Sequence, residues 1–177
     1  MALLVQTAGF AASVCTGLVF LLAAIGKLRH RQLLPGVIAN YRLLPEALVT
    51  PAAALLPVAE LVVGIALLAG SRPLAPIAAI ALLLVFAGAM AINIRRGRTQ
   101  IDCGCGHDGL RQGLSWPLVV RNTVLAGALA LRLPGGEALA SSEIMVAEMS
   151  GIVLFLLIMF FNALNALPGR IPVGLKR

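Results

Sequence analysis

No charged side chain precedes Lys27, and none falls between Arg72 and Arg95, so two long stretches of the chain are almost wholly hydrocarbon. Residues 8–26, 51–70, 74–94, 116–133 and 146–167 each approach the roughly 20 mostly apolar residues that a helix needs to cross a hydrocarbon layer about 30 Å thick. These runs show no strand-like alternation. Where lipid replaces water, every backbone polar group must find its partner within the protein, which for runs of this pattern means helices rather than a barrel. The pattern therefore predicts an all-α fold: a polytopic membrane helical bundle of about five transmembrane helices, a single integral membrane domain over 1–177. The fourth segment is the shortest and contains Arg121, while the fifth has Glu148 near one end and Asn162 and Asn165 near the other.

The connections differ in character. "RQLLPGVIANYRLLPEALVTP", between the first two spans, is too broken by proline to cross a membrane, and its mixture of Leu, Val, Ile, Tyr41 and Arg42 suits a segment lying in the interface. Residues 95–115 form a polar loop, and Pro134 to Ser142 a short one with turn signals at Gly135 and Gly136. The first apolar run lacks the basic start and small-residue cleavage site of a signal peptide, so the helix is expected to be retained. Only a faint repeat is visible: "GKLRHR" and "NIRRGR" both end odd-numbered spans.

Composition sharpens this picture without changing it. Of 177 residues, 60% are hydrophobic and 12% charged, about half the roughly 25% charged residues of soluble domains. The net charge of +7 raises the question of nucleic acid, but these charges sit at helix ends facing anionic headgroups, and no nucleic-acid module accompanies them. The expected partner of the surface is the lipid bilayer, with no nucleic acid. Lys27, Arg29, Arg31 and Arg42, then Arg95, Arg96, Arg98 and Arg111, then Arg170, Lys176 and Arg177 all fall on one side of a five-span arrangement, against Arg72 and Arg132 on the other. By the positive-inside rule, the N-terminus is expected outside and the C-terminus inside, in a bacterial inner (cytoplasmic) membrane.

Ionisable residues inside a span are costly, and each raises a functional question. Glu60 and Arg121 are expected to pair: both lie on helices that start at the inner face, about 14 Å and 8 Å up by helical rise. Asn93 and Asn122 add polar groups to the same inner half, beneath the 95–115 loop. Either the pair only neutralises itself and fixes packing, or the four residues form a pocket with the loop at its mouth. Asn162 and Asn165 are expected to be interhelical hydrogen-bonding groups or interface residues.

The loop holds the chemistry: "IDCGCGHDG" places Cys103 and Cys105 around one glycine. Gly104 removes the side-chain restriction on so tight a path, and a disulfide across it would be strained, which favours exchange over permanent cross-linking. Arg95, Arg96 and Arg98 favour the reactive thiolate, while Asp102 and Asp108 oppose them. A metal site is the competing reading, with Cys103, Cys105 and His107 alternating and an aspartate nearby; a soft ion such as Cu(I) would suit a transporter. Structural zinc sites usually add a second pair of ligands at wider spacing, and none is present. Cys15, alone in the first helix, is expected to be a small buried hydrophobe.

"GKLR" at 26–29, "YRLLP" at 41–45, Pro57 with Glu60 and Gly64, "NIRRGR" at 93–98, "IDCGC" at 101–105 and "SWPLVVRN" at 115–122 together resemble the methylamine utilisation protein MauE family, within the broader DoxX-like group. The resemblance covers roughly 15–130 and implies a four-helix DoxX-like core plus a C-terminal helix. It further implies a redox-associated membrane protein that works with a thioredoxin-like partner in disulfide formation of an extracytoplasmic client enzyme such as methylamine dehydrogenase. Carried onto this chain, Cys103 and Cys105 are the redox pair and Glu60, Arg121 and Asn122 are matching motif positions; from the residues themselves these three, with Asn93 and Asp102, are expected as pocket or supporting positions. "CGCGHD" departs from the phenylalanine that often follows the second cysteine in that family. A bound quinone would be compatible with a thiol-disulfide oxidoreductase of this kind, although no sequence signature points to one. The alternatives left open are a non-catalytic membrane scaffold for a client enzyme and a soft-metal transporter.

Overall fold

Each long apolar run forms a helix. The computed structural model describes residues 2–101, 113–133 and 140–166, and six α-helices carry them: α1 (Ala2–Arg29), α2 (Leu34–Tyr41), α3 (Glu46–Leu68), α4 (Leu74–Arg95), α5 (Trp116–Ala130) and α6 (Ser141–Ala166). Among the described residues, α1, α3, α4 and α6 are long and apolar enough to cross a membrane, so the chain is a multi-pass membrane protein. Helix α5 sits where a span was expected but has only 15 residues, about 22 Å of rise, and lies packed against α4 and α1. Helix α2, at eight residues, is the non-spanning segment read from the broken sequence before α3.

Two boundaries differ from the sequence expectation, and proline explains the one in α3. Helix α3 starts at Glu46, not near 51, and runs through Pro51 and Pro57. Helix α1 reaches back to Ala2. Proline is a boundary signal in water, but in a bilayer neighbouring helices can accommodate the freed carbonyls, so the helix continues.

Helix α1 is the centre of the bundle, packed most extensively against α3 and α6, with α5 also touching it; α4 packs chiefly on α5, and less closely on α3. Small residues set these contacts. A Cβ on Gly64 would lie 3.1 Å from the Gly17 carbonyl oxygen, and one on Gly151 would lie 2.7 Å from that of Ala11, so α1 meets both neighbours almost backbone to backbone. Lipid removes the hydrophobic drive for helix association, leaving close van der Waals packing to supply it. Around these contacts Ala12, Cys15, Phe20, Leu67, Leu83 and Leu129 make a buried core, whereas most of α6 faces outward.

The antiparallel alternation gathers Lys27, Arg29, Arg95 and the start of α5 at one end of the bundle, and Arg72 and Arg132 at the other. At the basic end α4 closes in a Schellman turn: Gly97, at φ 72, donates to the Ile94 carbonyl at 3.0 Å, and Arg98 donates to that of Asn93 at 2.9 Å. The chain then returns. Leu114 N–H donates to the Thr99 carbonyl at 2.9 Å, closing the base of the segment that separates α4 from α5.

Candidate functional site

Glu60 lies 14 residues into α3 on a buried stripe with Val49, Ala53, Pro57, Gly64 and Leu67, whose steps of three and four residues keep it on one helix face. That face meets α1. Lys27 lies ten residues after Gly17, Glu60 four before Gly64, so their Cα positions differ by about 9 Å along the bundle. Side chains tilt toward the N-terminus of their own helix, and in antiparallel α1 and α3 this aims Lys27 and Glu60 at each other. Lys27 Nζ donates to Oε1 and Oε2 of Glu60, both at 2.8 Å, with side-chain exposures of 5% and 1%. The ammonium also lies 5.7 Å from the centre of the Phe86 ring.

This corrects the pairing expected from the sequence: Glu60 is bound by Lys27 and not by Arg121. Arg121 reaches sideways, donating from Nη1 to Asn162 Oδ1 at 3.0 Å on α6, and from Nε and Nη2 to Asn122 Oδ1 at 3.3 and 3.2 Å. The interhelical hydrogen bond expected of Asn162 is therefore made, and it joins α5 to α6. The Cys15 thiol is fully buried in the core as expected.

Asn93 belongs to a third group. It is fully buried, donates from Nδ2 to the Ala89 carbonyl at 3.1 Å, and accepts at Oδ1 from Arg98 Nη1 at 3.3 Å. Arg98 is thus held by both main chain and side chain of Asn93. Next to it Met90, Leu114 and Leu118 pack with Ile94, Ile101 and Tyr41, so the polar anchor and an apolar cluster together fix both ends of the cysteine-bearing segment. Asp102, Cys103, Cys105 and His107 themselves lie outside the described residues, and so do both the thiol pair and the alternative metal ligands.

Glu60, Asn93 and Asn122 are buried, as polar residues picked out of apolar helices should be if they have internal partners. The sequence reading missed Lys27 and Arg98 as those partners, having counted both as membrane-end charges. The available signal for Lys27 was its place inside the last turn of α1, one turn after Ala24 on the buried face.

Fold and site define a class: a multi-pass helical membrane protein with a buried ion pair between its first and third helices and a two-cysteine segment closed at its base. The sequence matches the family described as methylamine utilisation protein MauE over residues 5–135, and the chain belongs to that family. It is 42% identical over 164 residues to the methylamine utilization protein MauE of Paracoccus denitrificans, covering 89% of this chain and 87% of that one. The corresponding protein of Paracoccus versutus is 44% identical over 158 residues, 86% and 84% of the two chains. That of Methylophilus methylotrophus is 52% identical over 100 residues, 56% and 53%. No solved structure matches the chain.

Proposed function

We propose that the chain is an accessory membrane protein of methylamine utilisation that uses Cys103 and Cys105 for thiol-disulfide exchange with a thioredoxin-like partner. Through that partner it supports disulfide formation in an extracytoplasmic client enzyme such as methylamine dehydrogenase. The observation that carries the reading is the sequence Cys-Gly-Cys in a segment tethered at both ends, by Asn93 and Arg98 on one side and by the Thr99–Leu114 hydrogen bond on the other. In the exchange a thiolate of one protein attacks the disulfide of the other, passes through a mixed disulfide and leaves one disulfide formed for one reduced. The relatives' names support the methylamine context.

The proposed location is the bacterial inner membrane, N-terminus outside. That orientation puts the cysteine segment at the cytoplasmic face while the client is outside, so either electrons cross the bundle or the segment dips into the membrane. Alkylating Cys103 from each side of intact cells separates these arrangements; labelling from outside only would refute the orientation.

The test of the function is the thiol state of the purified protein across a series of thiol redox buffers, read by alkylation and intact mass, with metal analysis of the same sample. A reversible two-electron Cys103–Cys105 transition without bound metal is expected. Stoichiometric zinc or copper protecting the thiols until chelation would replace the redox reading with a metal-handling one. Full client maturation by Cys103→Ser/Cys105→Ser would replace it with a scaffold.

A further inference from the structure

Beside the Lys27–Glu60 pair, α2, α3 and α4 enclose a cavity of about 320 Å³. Its floor is buried, at Lys27, Leu34 and Met90, and its rim is exposed, at Leu43, Leu44 and Val85. Val85 lies on the outer face of a membrane-spanning helix, so the rim opens toward lipid. Apart from Lys27 and Tyr41, every lining residue is apolar. A site of this construction takes a mostly apolar molecule with one polar end directed inward.

Charge and size narrow the occupant. The ammonium is matched by Glu60 on both carboxylate oxygens, so this ion pair carries no net charge. A phosphate or fatty-acid carboxylate would bring a negative charge against Glu60 in a low-dielectric setting, where like charges are strongly disfavoured. A neutral head with acceptor oxygens adds no charge. The volume is near the lower end of the roughly 300–1,000 Å³ of ligand pockets, room for one ring and not for a pair of acyl chains. Phe86 and Tyr41 in the wall provide aromatic faces for a flat ring. We propose that this cavity binds the ring of a lipid-soluble quinone, carbonyl oxygen toward Lys27 and isoprenoid tail leaving over Val85.

The binding site stands on the cavity alone; its use rests on the thiol-exchange reading. Oxidising two thiols to a disulfide releases two electrons and two protons, and one quinone takes up both pairs and leaves as quinol. The quinone would then be the oxidant that restores the Cys103–Cys105 disulfide after exchange with the thioredoxin-like partner has reduced it.

The test uses the full chain in phosphatidylcholine nanodiscs and a short-tailed azidoubiquinone, with equilibrium binding measured in the dark and photolabelled peptides mapped by mass spectrometry. Label is expected on α2 and on the Val85–Met90 stretch of α4. Ala89→Phe, which fills the cavity, should weaken binding at least tenfold, while Val62→Phe on the lipid-facing side of α3 should leave it unchanged. If Ala89→Phe does not yield a monodisperse protein, the label map of the unsubstituted chain decides. Label spread over the lipid faces of α3 and α6 would overturn the proposal, as would tightly held phospholipid that quinone cannot displace. Cys103→Ser/Cys105→Ser should bind the probe normally. A reversible thiol couple in a protein that takes up no quinone sinks only this proposal, and quinone binding beside inert thiols sinks only the thiol reading.

Discussion

Replacing Glu60 by Met would leave the Lys27 ammonium in a site with 5% side-chain exposure and take away the carboxylate that holds it. Burial decides the scale. An exposed ion pair contributes about 0–1 kcal/mol, whereas removing one partner of a buried pair costs about 3–5 kcal/mol because the other charge is left uncompensated. At 2.8 Å to both oxygens and nearly complete burial, the Lys27–Glu60 pair belongs to the second case. Glu60→Met should therefore shift the unfolding equilibrium by roughly 100- to several-thousand-fold, taking about 1.4 kcal/mol per factor of ten. The double variant Lys27→Met/Glu60→Met removes both charges and should recover most of that loss, since apolar groups of similar volume often replace a buried pair at little cost. The assay is unfolding of purified protein in mixed micelles with increasing SDS, followed by far-UV circular dichroism, arranged as a double-mutant cycle. The same cycle on Glu60 and Arg121 should give almost no coupling. A loss below about 1 kcal/mol for Glu60→Met, or a Glu60–Arg121 coupling larger than that of Glu60–Lys27, would refute the reasoning.

Glycine substitutions test the close helix contacts: Gly151→Ala puts a Cβ 2.7 Å from the Ala11 carbonyl oxygen and should cost about 1–3 kcal/mol by overpacking. Gly26→Ala, with nothing within 4 Å, should be neutral or slightly stabilising in the same SDS assay. Arg121→Lys keeps the charge but loses the planar fork that bonds Asn122 and Asn162 together; faster proteolytic cleavage between α5 and α6 is expected, and an unchanged rate would argue that Asn162 does not need the guanidinium. Gly97→Ala forces a side chain onto φ 72, which costs about 1 kcal/mol, and should change the alkylation rate of Cys103 and Cys105 by loosening the turn that starts their segment. Equal rates in both proteins would separate the turn from the thiols.

Much of the fold was legible because the solvent is hydrocarbon: an uncharged run such as 74–94 has no other stable conformation in lipid, and the α4 boundaries at Leu74 and Arg95 follow it closely. The less legible elements are those governed by neighbours. Pro51 reads as a start because proline lacks a donor, yet α3 encloses it. Helix α5 reads as the shortest of five spans, over 116–133, but Ser115 and Leu131 bound it at 15 residues, and its place inside the bundle comes from packing on α4 and α1.

The site divides along the same line. That Glu60, Asn93 and Asn122 are buried follows from their surroundings in sequence, since a polar group among apolar residues on a spanning helix must turn inward. Which partner each one meets depends on helix adjacency and rotation, and axial depth alone cannot supply these. Depth favoured Arg121 for Glu60; adjacency gives Lys27, because Gly17 and Gly64 bring α1 and α3 nearly into backbone contact and the opposed tilt of the two side chains covers the remaining distance. The outcome reassigns Lys27 from a charge that orients the chain in the membrane to one locked within it. The sequence counts ten other basic residues with it in the five-span arrangement, and the proposed orientation rests on those. Lys27 at the cavity floor instead ties the polar interior to whatever enters from the lipid.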